Sequence, residues 1–269
     1  MKTLRTQLLM ATVCLFCCFA IISFKPKSEK TEQEKQTTEA QGVKTGQEEL
    51  INALTQEEID EGWVLLFDGE TSNGWKGYNK EAFPEEGWEI KDGMLRCIGS
   101  GRGEAGGKGG DIITEKKYRW FEFKLEWKIA EGGNSGILYL AQEKPDQPIW
   151  KSAPEMQVLD NERHPVGADA IHQAGALYDL IPAEPQNAKP ANEWNKVKIF
   201  IKEGLVQHWQ NGEKVVEYHL WTPDWKKMVT NSKFKDYPDF VEPAEEGHIG
   251  LQDHGNDVWY RNIKIKELK

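Results

Sequence analysis

Nine consecutive residues, Phe121-Glu122-Phe123-Lys124-Leu125-Glu126-Trp127-Lys128-Ile129, alternate apolar and charged without a break. Only an extended strand puts every second side chain on one face, so this run commits the chain to a sheet with one buried side. Shorter runs of similar character recur between Gly, Asn and Pro: Trp63–Phe67, Trp88–Ile90, Met94–Ile98, Ile137–Leu140, Glu155–Leu159, Val197–Ile201, Leu205–Gln210, Val215–Tyr218, Ile249–Gln252 and Val258–Ile265. Lys91-Asp92-Gly93 reads as a hairpin turn. No long amphipathic helix and no internal repeat interrupts the series. Short strands spaced this way predict an all-β fold over residues 54–269, a two-sheet β-sandwich or jelly roll. Eleven Trp and 25 Gly suit such a fold, with exposed aromatic platforms expected.

The N-terminal stretch has another character. Lys2 and Arg5 precede an apolar run from Leu8 to Phe24, closed by Lys25-Pro26-Lys27. A membrane span needs about 20 apolar residues, so residues 1–24 read as a secretory signal, with an uncleaved anchor as the alternative. Residues 25–53, polar through most of their length, read as a disordered tether. The expected location is outside the cytoplasm, periplasmic or at the cell surface, with no membrane insertion after signal removal. Cys14, Cys17 and Cys18 lie inside the signal; Cys17 follows Leu15-Phe16 and Cys18 follows Phe16-Cys17, which supports lipid anchoring poorly. Cys97 then stands alone, so no disulfide within the mature chain is possible. The net charge of −10 argues against nucleic acid and anionic lipid as partners.

Alternation assigns faces. Met156 and Val158 take the core side of their run, which leaves Glu155 and Gln157 opposite. Ile249 and Leu251 leave Gly250, Gln252 and His254 opposite. In Leu205–Gln210 both parities mix polar and apolar residues, so the core side is undecided. If the strands are neighbours, one face collects Glu126, Glu155, Gln157, His208, Gln252 and His254, a polar floor suited to a sugar; the alternative is an ordinary solvated sheet face.

The order of short motifs narrows the choice. Gly62-Trp63-Val64-Leu65-Leu66-Phe67-Asp68-Gly69 comes first, followed by Asn134-Ser135-Gly136-Ile137 and Glu155-Met156-Gln157-Val158-Leu159-Asp160. Gly175-Ala176-Leu177-Tyr178, Glu193-Trp194-Asn195 and His208-Trp209-Gln210-Asn211-Gly212 come next. Gly250-Leu251-Gln252-Asp253-His254-Gly255 and Arg261-Asn262-Ile263 close the series. From about Leu54 to Leu268 it resembles the 3-keto-disaccharide hydrolase domain family. That resemblance implies a concanavalin-like jelly roll acting on glycosides whose C3 hydroxyl has been oxidised to a ketone. The ketone acidifies the hydrogen on C2; a base removes it, the C1 substituent leaves, and water can add afterwards. The chemistry needs a base near C2, a cation or donor at O3 and an acid at the leaving oxygen.

On this resemblance His208, His254 and Glu155 are the candidate catalytic residues, the two histidines as base and acid because imidazole titrates near neutrality. Glu155, Asp160 and Glu126 are candidates to hold a divalent cation or to bond sugar hydroxyls; no metal is otherwise indicated. Gln157, Gln252 and Asn134 fit hydroxyl recognition, and Tyr139, Tyr178 and Trp209 fit ring stacking. Arg261 is a candidate for enolate stabilisation or for a buried pair with Asp253, itself a candidate binding residue or turn cap. The glycine-rich segment Gly99–Gly110 lacks a phosphate-loop ending and reads as a loop near the site rim. His164, His172 and Asp169 are a weaker metal candidate, and 223–246 carries no motif. A separate oxidoreductase is the expected partner in function, since the chain has no dinucleotide fingerprint. Two other classes remain: a laminarinase-like retaining glycosidase, whose second carboxylate is missing from Glu155-Gln157-Leu159, and a non-catalytic carbohydrate-binding module.

Overall fold

In a computed structural model the described residues are 51–101 and 107–269. The expected signal and most of the tether lie outside them. Thr55 opens the first described element with the capping box its spacing predicts: its hydroxyl accepts the Glu58 N–H, and the Glu58 carboxylate accepts the Thr55 N–H. The helix α1 (Gln56–Asp60) is one short turn, and thirteen strands follow among the described residues.

They are β1 (Trp63–Leu65), β2 (Trp75–Gly77), β3 (Trp88–Lys91), β4 (Met94–Cys97), β5 (Ile112–Thr114), β6 (Phe121–Ile129), β7 (Asn134–Ala141), β8 (Glu155–Leu159), β9 (Asn195–Lys202), β10 (Leu205–Gln210), β11 (Glu213–His219), β12 (His248–Leu251) and β13 (Val258–Glu267). One sheet has eight strands, in the order β11-β10-β9-β6-β13-β4-β3 with β1 added beside β13. The other has five, in the order β2-β5-β12-β7-β8. All pairings are antiparallel. The predicted β-sandwich is therefore the observed architecture. Strands β2 and β5, three residues each, are too short to announce themselves by period.

The core lies between the sheets. Phe121, Phe123, Leu125, Trp127 and Ile129 of β6 meet Ile137 and Tyr139 of β7, Met156 and Val158 of β8, and Ile249 and Leu251 of β12. Each such side chain contributes roughly 1.5–3 kcal/mol when fully buried, so β6 alone anchors the larger sheet. Five of the tryptophans expected as platforms (Trp63, Trp75, Trp88, Trp127 and Trp225) are buried instead. Others carry a cation over the ring: Lys198 over Trp209, Arg261 over Trp194 and Lys128 over Trp259.

The segment without a motif is built as α2 (Pro223–Thr230), a 3-10 turn (Lys233–Asp236) and α3 (Pro238–Val241). It leaves β11 at the edge of the larger sheet and returns to β12 in the smaller one. Trp225 stacks on Tyr218 of β11 at 5.5 Å and on Phe240 at 5.9 Å, which fastens the segment to the core.

Candidate functional site

The outer face of the five-stranded sheet, turned away from the core, carries a cavity of ≈ 270 Å³. Its floor comes from three neighbouring strands: Asn134 from β7, Glu155 and Gln157 from β8, and Gln252 and His254 just beyond β12. Its walls are Trp150 from a 3-10 turn (Ile149–Lys151), Ala153 and Tyr178 from loops, and Lys233, Phe234, Tyr237 and Phe240 from the motif-free segment. Sequence alternation places Glu155 and Gln157 on this face because β8 keeps its period, and Gln252 and His254 reach the same cavity from the residues just past β12.

Glu155 lies across β7. A Cβ on Gly136 would stand 2.0 Å from its Oε1, so the glycine of Asn134-Ser135-Gly136 is the space the carboxyl occupies. Burial pushes the Glu155 pKa up to about 8, opposed by the charge of Lys233 and reinforced by Asp111. Its carboxyl is therefore largely protonated at neutral pH. The Gln157 amide donates to Asn134 Oδ1 at 3.4 Å, while Gln157 Oε1 and Gln252 Oε1 are buried acceptors with no hydrogen-bond partner. Unmet buried acceptors cost free energy, and a ligand hydroxyl would remove that cost. Tyr178 packs beside His172 at 5.2 Å, under the Lys233 ammonium at 4.0 Å from its ring.

Several expected site residues are elsewhere. His208 does not line the cavity: it points from β10 into the inter-sheet core and is fully buried. Its Nδ1 lies 3.0 Å from the Gly175 carbonyl, which only accepts, so Nδ1 carries the proton and donates. Nε2 must then accept from the Tyr139 hydroxyl at 2.9 Å, and Tyr218 donates to the Tyr139 oxygen at 2.5 Å. Burial lowers the His208 pKa to about 4. Tyr139 faces the same core, so it offers no ring to the cavity. Trp209 lies on the outer face of the larger sheet, its Nε1 donating to Gln207.

Glu126 and Arg261 form a pair with each other, 2.8 Å apart, on the outer face of the eight-stranded sheet. Glu126 is opposite in parity to the core residues of β6, and β6 is not in the cavity's sheet. Arg261 escapes the parity it shares with Ile263 because the register shifts between Arg261 and Lys264, with Asn262 at φ 53°. Arg261 thus pairs with Glu126 and not with Asp253. Asp253 instead accepts from the N–H groups of Gly109, Gly110 and Gly255 and from the Cys97 thiol. A Cβ on Gly107 would collide with its carboxyl at 1.6 Å, so Asp253 orders the end of the glycine-rich segment. Asp160 accepts from the N–H groups of Gly132 and Glu162 and caps a turn.

The carboxylates considered for a divalent cation are therefore dispersed, and no group of three or more His, Cys, Asp and Glu suited to a metal occurs among the described residues. His172 is engaged by Asp179 at 2.6 Å, and the His164 Nδ1 accepts the Val166 N–H. Asp111 escaped the sequence reading. Its Oδ1 accepts the Asp253 N–H at 2.9 Å, and burial, with the Asp253 charge, raises its pKa to about 7. The walls on 223–241 escaped it as well, since only packing gives them a place.

The model for the 3-keto-alpha-glucoside-1,2-lyase-like domain family matches residues 62–266. A 3-keto-disaccharide hydrolase of Bacteroides thetaiotaomicron is 43% identical over 94% of this chain and 97% of its own. A candidate glycosyl hydrolase of Parabacteroides distasonis superposes with a TM-score of 0.74 at 34% identity, over 82% of this chain and all of the other. A second from the same organism gives a TM-score of 0.55 at 27% identity, over 73% and 100% of the two chains.

Proposed function

Because this chain belongs to the 3-keto-alpha-glucoside-1,2-lyase-like domain family, whose kinship makes it a carbohydrate-active hydrolase, we propose that it cleaves 3-keto-glycosides, 3-keto-disaccharides included, by C2 proton abstraction and C1 elimination. One observation carries this reading: among the described residues the cavity lining holds one carboxyl, Glu155, and one imidazole, His254. Hydrolysis through an oxocarbenium ion calls on two carboxyl groups flanking the bond. Here the position one alternation further along β8 is Gln157.

His254 takes the proton from C2, and the electrons form an enolate with the C3 oxygen. The enolate reforms the ketone as the C1–O bond breaks, and Glu155, protonated below about pH 8, gives its proton to the leaving oxygen. Water then adds at C1, yielding a proton to the Glu155 carboxylate, while the histidinium returns its proton to C2. The sum is substrate plus water giving a 3-keto sugar and an alcohol. Gln157 and Gln252 accept from ring hydroxyls through their unpartnered oxygens, and Tyr178, Tyr237 and Trp150 flank the ring. An oxidoreductase must supply the ketone. Export is part of the same reading and rests on the apolar run Leu8–Phe24 and the polar stretch behind it.

The test is turnover of a 3-keto-glucoside beside its unoxidised parent, with and without a chelator. Cleavage of the keto sugar alone is expected. Cleavage of the parent at a comparable rate overturns the proposal in favour of ordinary hydrolysis, and saturable binding without cleavage of either overturns it in favour of a binding module.

A further inference from the structure

We propose that Lys233 is the group that stabilises the negative charge on the C3 oxygen of the enolate, held in place for that task by Asp179 and Tyr178. The inference rests on the elimination reading above and adds its missing cation.

Removing the C2 proton drives charge onto the C3 oxygen, which is where a fixed positive group lowers the barrier most. Among the described residues lining the cavity, Lys233 is the one Lys or Arg. Its ammonium stands 4.0 Å from the centroid of the Tyr178 ring and 3.8 Å from Asp179 Oδ1. The ring face attracts the cation, and the carboxylate fixes its direction. Asp179 is itself fixed: its Oδ1 lies 2.6 Å from His172 Nε2, and its backbone sits in the left-handed region at φ 61°. A residue held there costs free energy unless its surroundings demand it, and such residues gather at functional sites.

The backbone of Lys233 is equally constrained. Ser232 caps the 3-10 turn by accepting the Phe234 N–H at 3.1 Å, and Phe234 stacks on Phe240 at 4.0 Å, burying the next side chain. The lysine therefore leaves a packed turn in the wall of the cavity whose floor carries Glu155. The side chain keeps 45% of its exposure, so a ketone in the cavity can approach the ammonium where Tyr178 and Asp179 hold it. Asp179 and His172 act through Lys233 and are positioning residues.

The experiment separates enolate formation from cleavage. The 3-keto derivative of 1,5-anhydroglucitol has no exocyclic substituent at C1 to expel, so its C2–H exchange in D2O, followed by NMR, reports the enolate. The K233M variant is expected to lower that exchange and the kcat for a 3-keto-glucoside together, by 10²–10³-fold, with KM changed less than threefold. K233R should recover at least tenfold of the loss, and D179N should lower both rates three- to tenfold. Wild-type exchange in K233M, or a loss confined to KM, would overturn the assignment while leaving elimination intact. A wild-type protein that neither exchanges the anhydro sugar nor cleaves the glycoside would overturn the elimination reading, and the role of Lys233 with it.

Discussion

Two buried polar clusters flank strand β7, one on each side. Inward lie His208, Tyr139 and Tyr218, at 0–8% exposure; outward lie Glu155, Gln157 and Gln252, at 1–9%. Burial alone does not distinguish them. Their partners do. The inner donors and acceptors close on one another and on the Gly175 carbonyl, in an order that the carbonyl dictates. The outer cluster leaves Gln157 Oε1 and Gln252 Oε1 unmet and holds a carboxyl whose pKa burial raises. A satisfied buried network specifies a fold, whereas an unsatisfied one facing a cavity waits for a ligand. The outer cluster gives up stability in the free protein for that readiness.

The sharpest way to break this comparison is E155Q. On a 3-keto-glucoside it should lower kcat by about 10³-fold, within the 10²–10⁴ typical of a lost acid or base. It should also stabilise the fold. The Glu155 pKa is raised from 4.5 to about 8, so the favourable neutral form is intact below pH 4.5 and its contribution is lost as pH rises through 8. Relieving that penalty is worth on the order of 3–5 kcal/mol above pH 8 and almost nothing at pH 4. Melting curves at pH 4.5 and 9 check it: equal shifts at both would refute the assignment of the buried carboxyl.

H208A should do the opposite. It leaves Tyr139 and the Gly175 carbonyl short of a partner, at about 2–4 kcal/mol and a fall in Tm of roughly 5–12 °C. The rate per folded molecule should stay within threefold of wild type. His208 titrates at about 4 in the fold against 6.5 when unfolded, so its neutral contribution is complete above pH 6.5 and vanishes as pH falls through 4. The variant's acid limb should therefore be flatter. A large fall in kcat with an unchanged Tm would move His208 back among the catalytic groups.

A Cβ at Gly136 displaces the Glu155 carboxyl without touching its chemistry. G136A should cost ten- to a hundredfold in kcat, with the Tm read alongside to separate misplacement from unfolding. The smallest effect is expected for R261A, whose guanidinium pairs with Glu126 on the far sheet. It should lower stability by about 1 kcal/mol and leave kcat unchanged. A tenfold loss of rate would mean that the outer face of the larger sheet takes part in the reaction.

How far the sequence carried can be read residue by residue. The unbroken alternation of 121–129 fixed the face of every residue in β6, and the shorter alternations of 155–159 and 249–252 put Glu155, Gln157 and Gln252 opposite the core. Parity is local, set by the pleat, so these assignments needed no neighbour. It failed where the pleat is interrupted: Asn262, in the left-handed region, shifts β13 by one position and sends Arg261 outward. It was silent for 205–210, where both faces mix polar and apolar side chains and the buried one is chosen by what the other sheet brings.

The sequence by itself therefore determined the class of fold, the strands with a clear period, and the polar side of each. Only the tertiary structure decided which polar sides belong together. Glu126 and Glu155 both point away from the core, but sheet order puts them on opposite surfaces of the sandwich. Only the tertiary structure, too, gave 223–241 a purpose, because Lys233, Phe234, Tyr237 and Phe240 become a wall through packing across the sheet edge. The physical reason is the range of the interactions: a pleat is set between adjacent residues, whereas strand pairing and a packed insertion are settled by contacts between segments far apart in the chain.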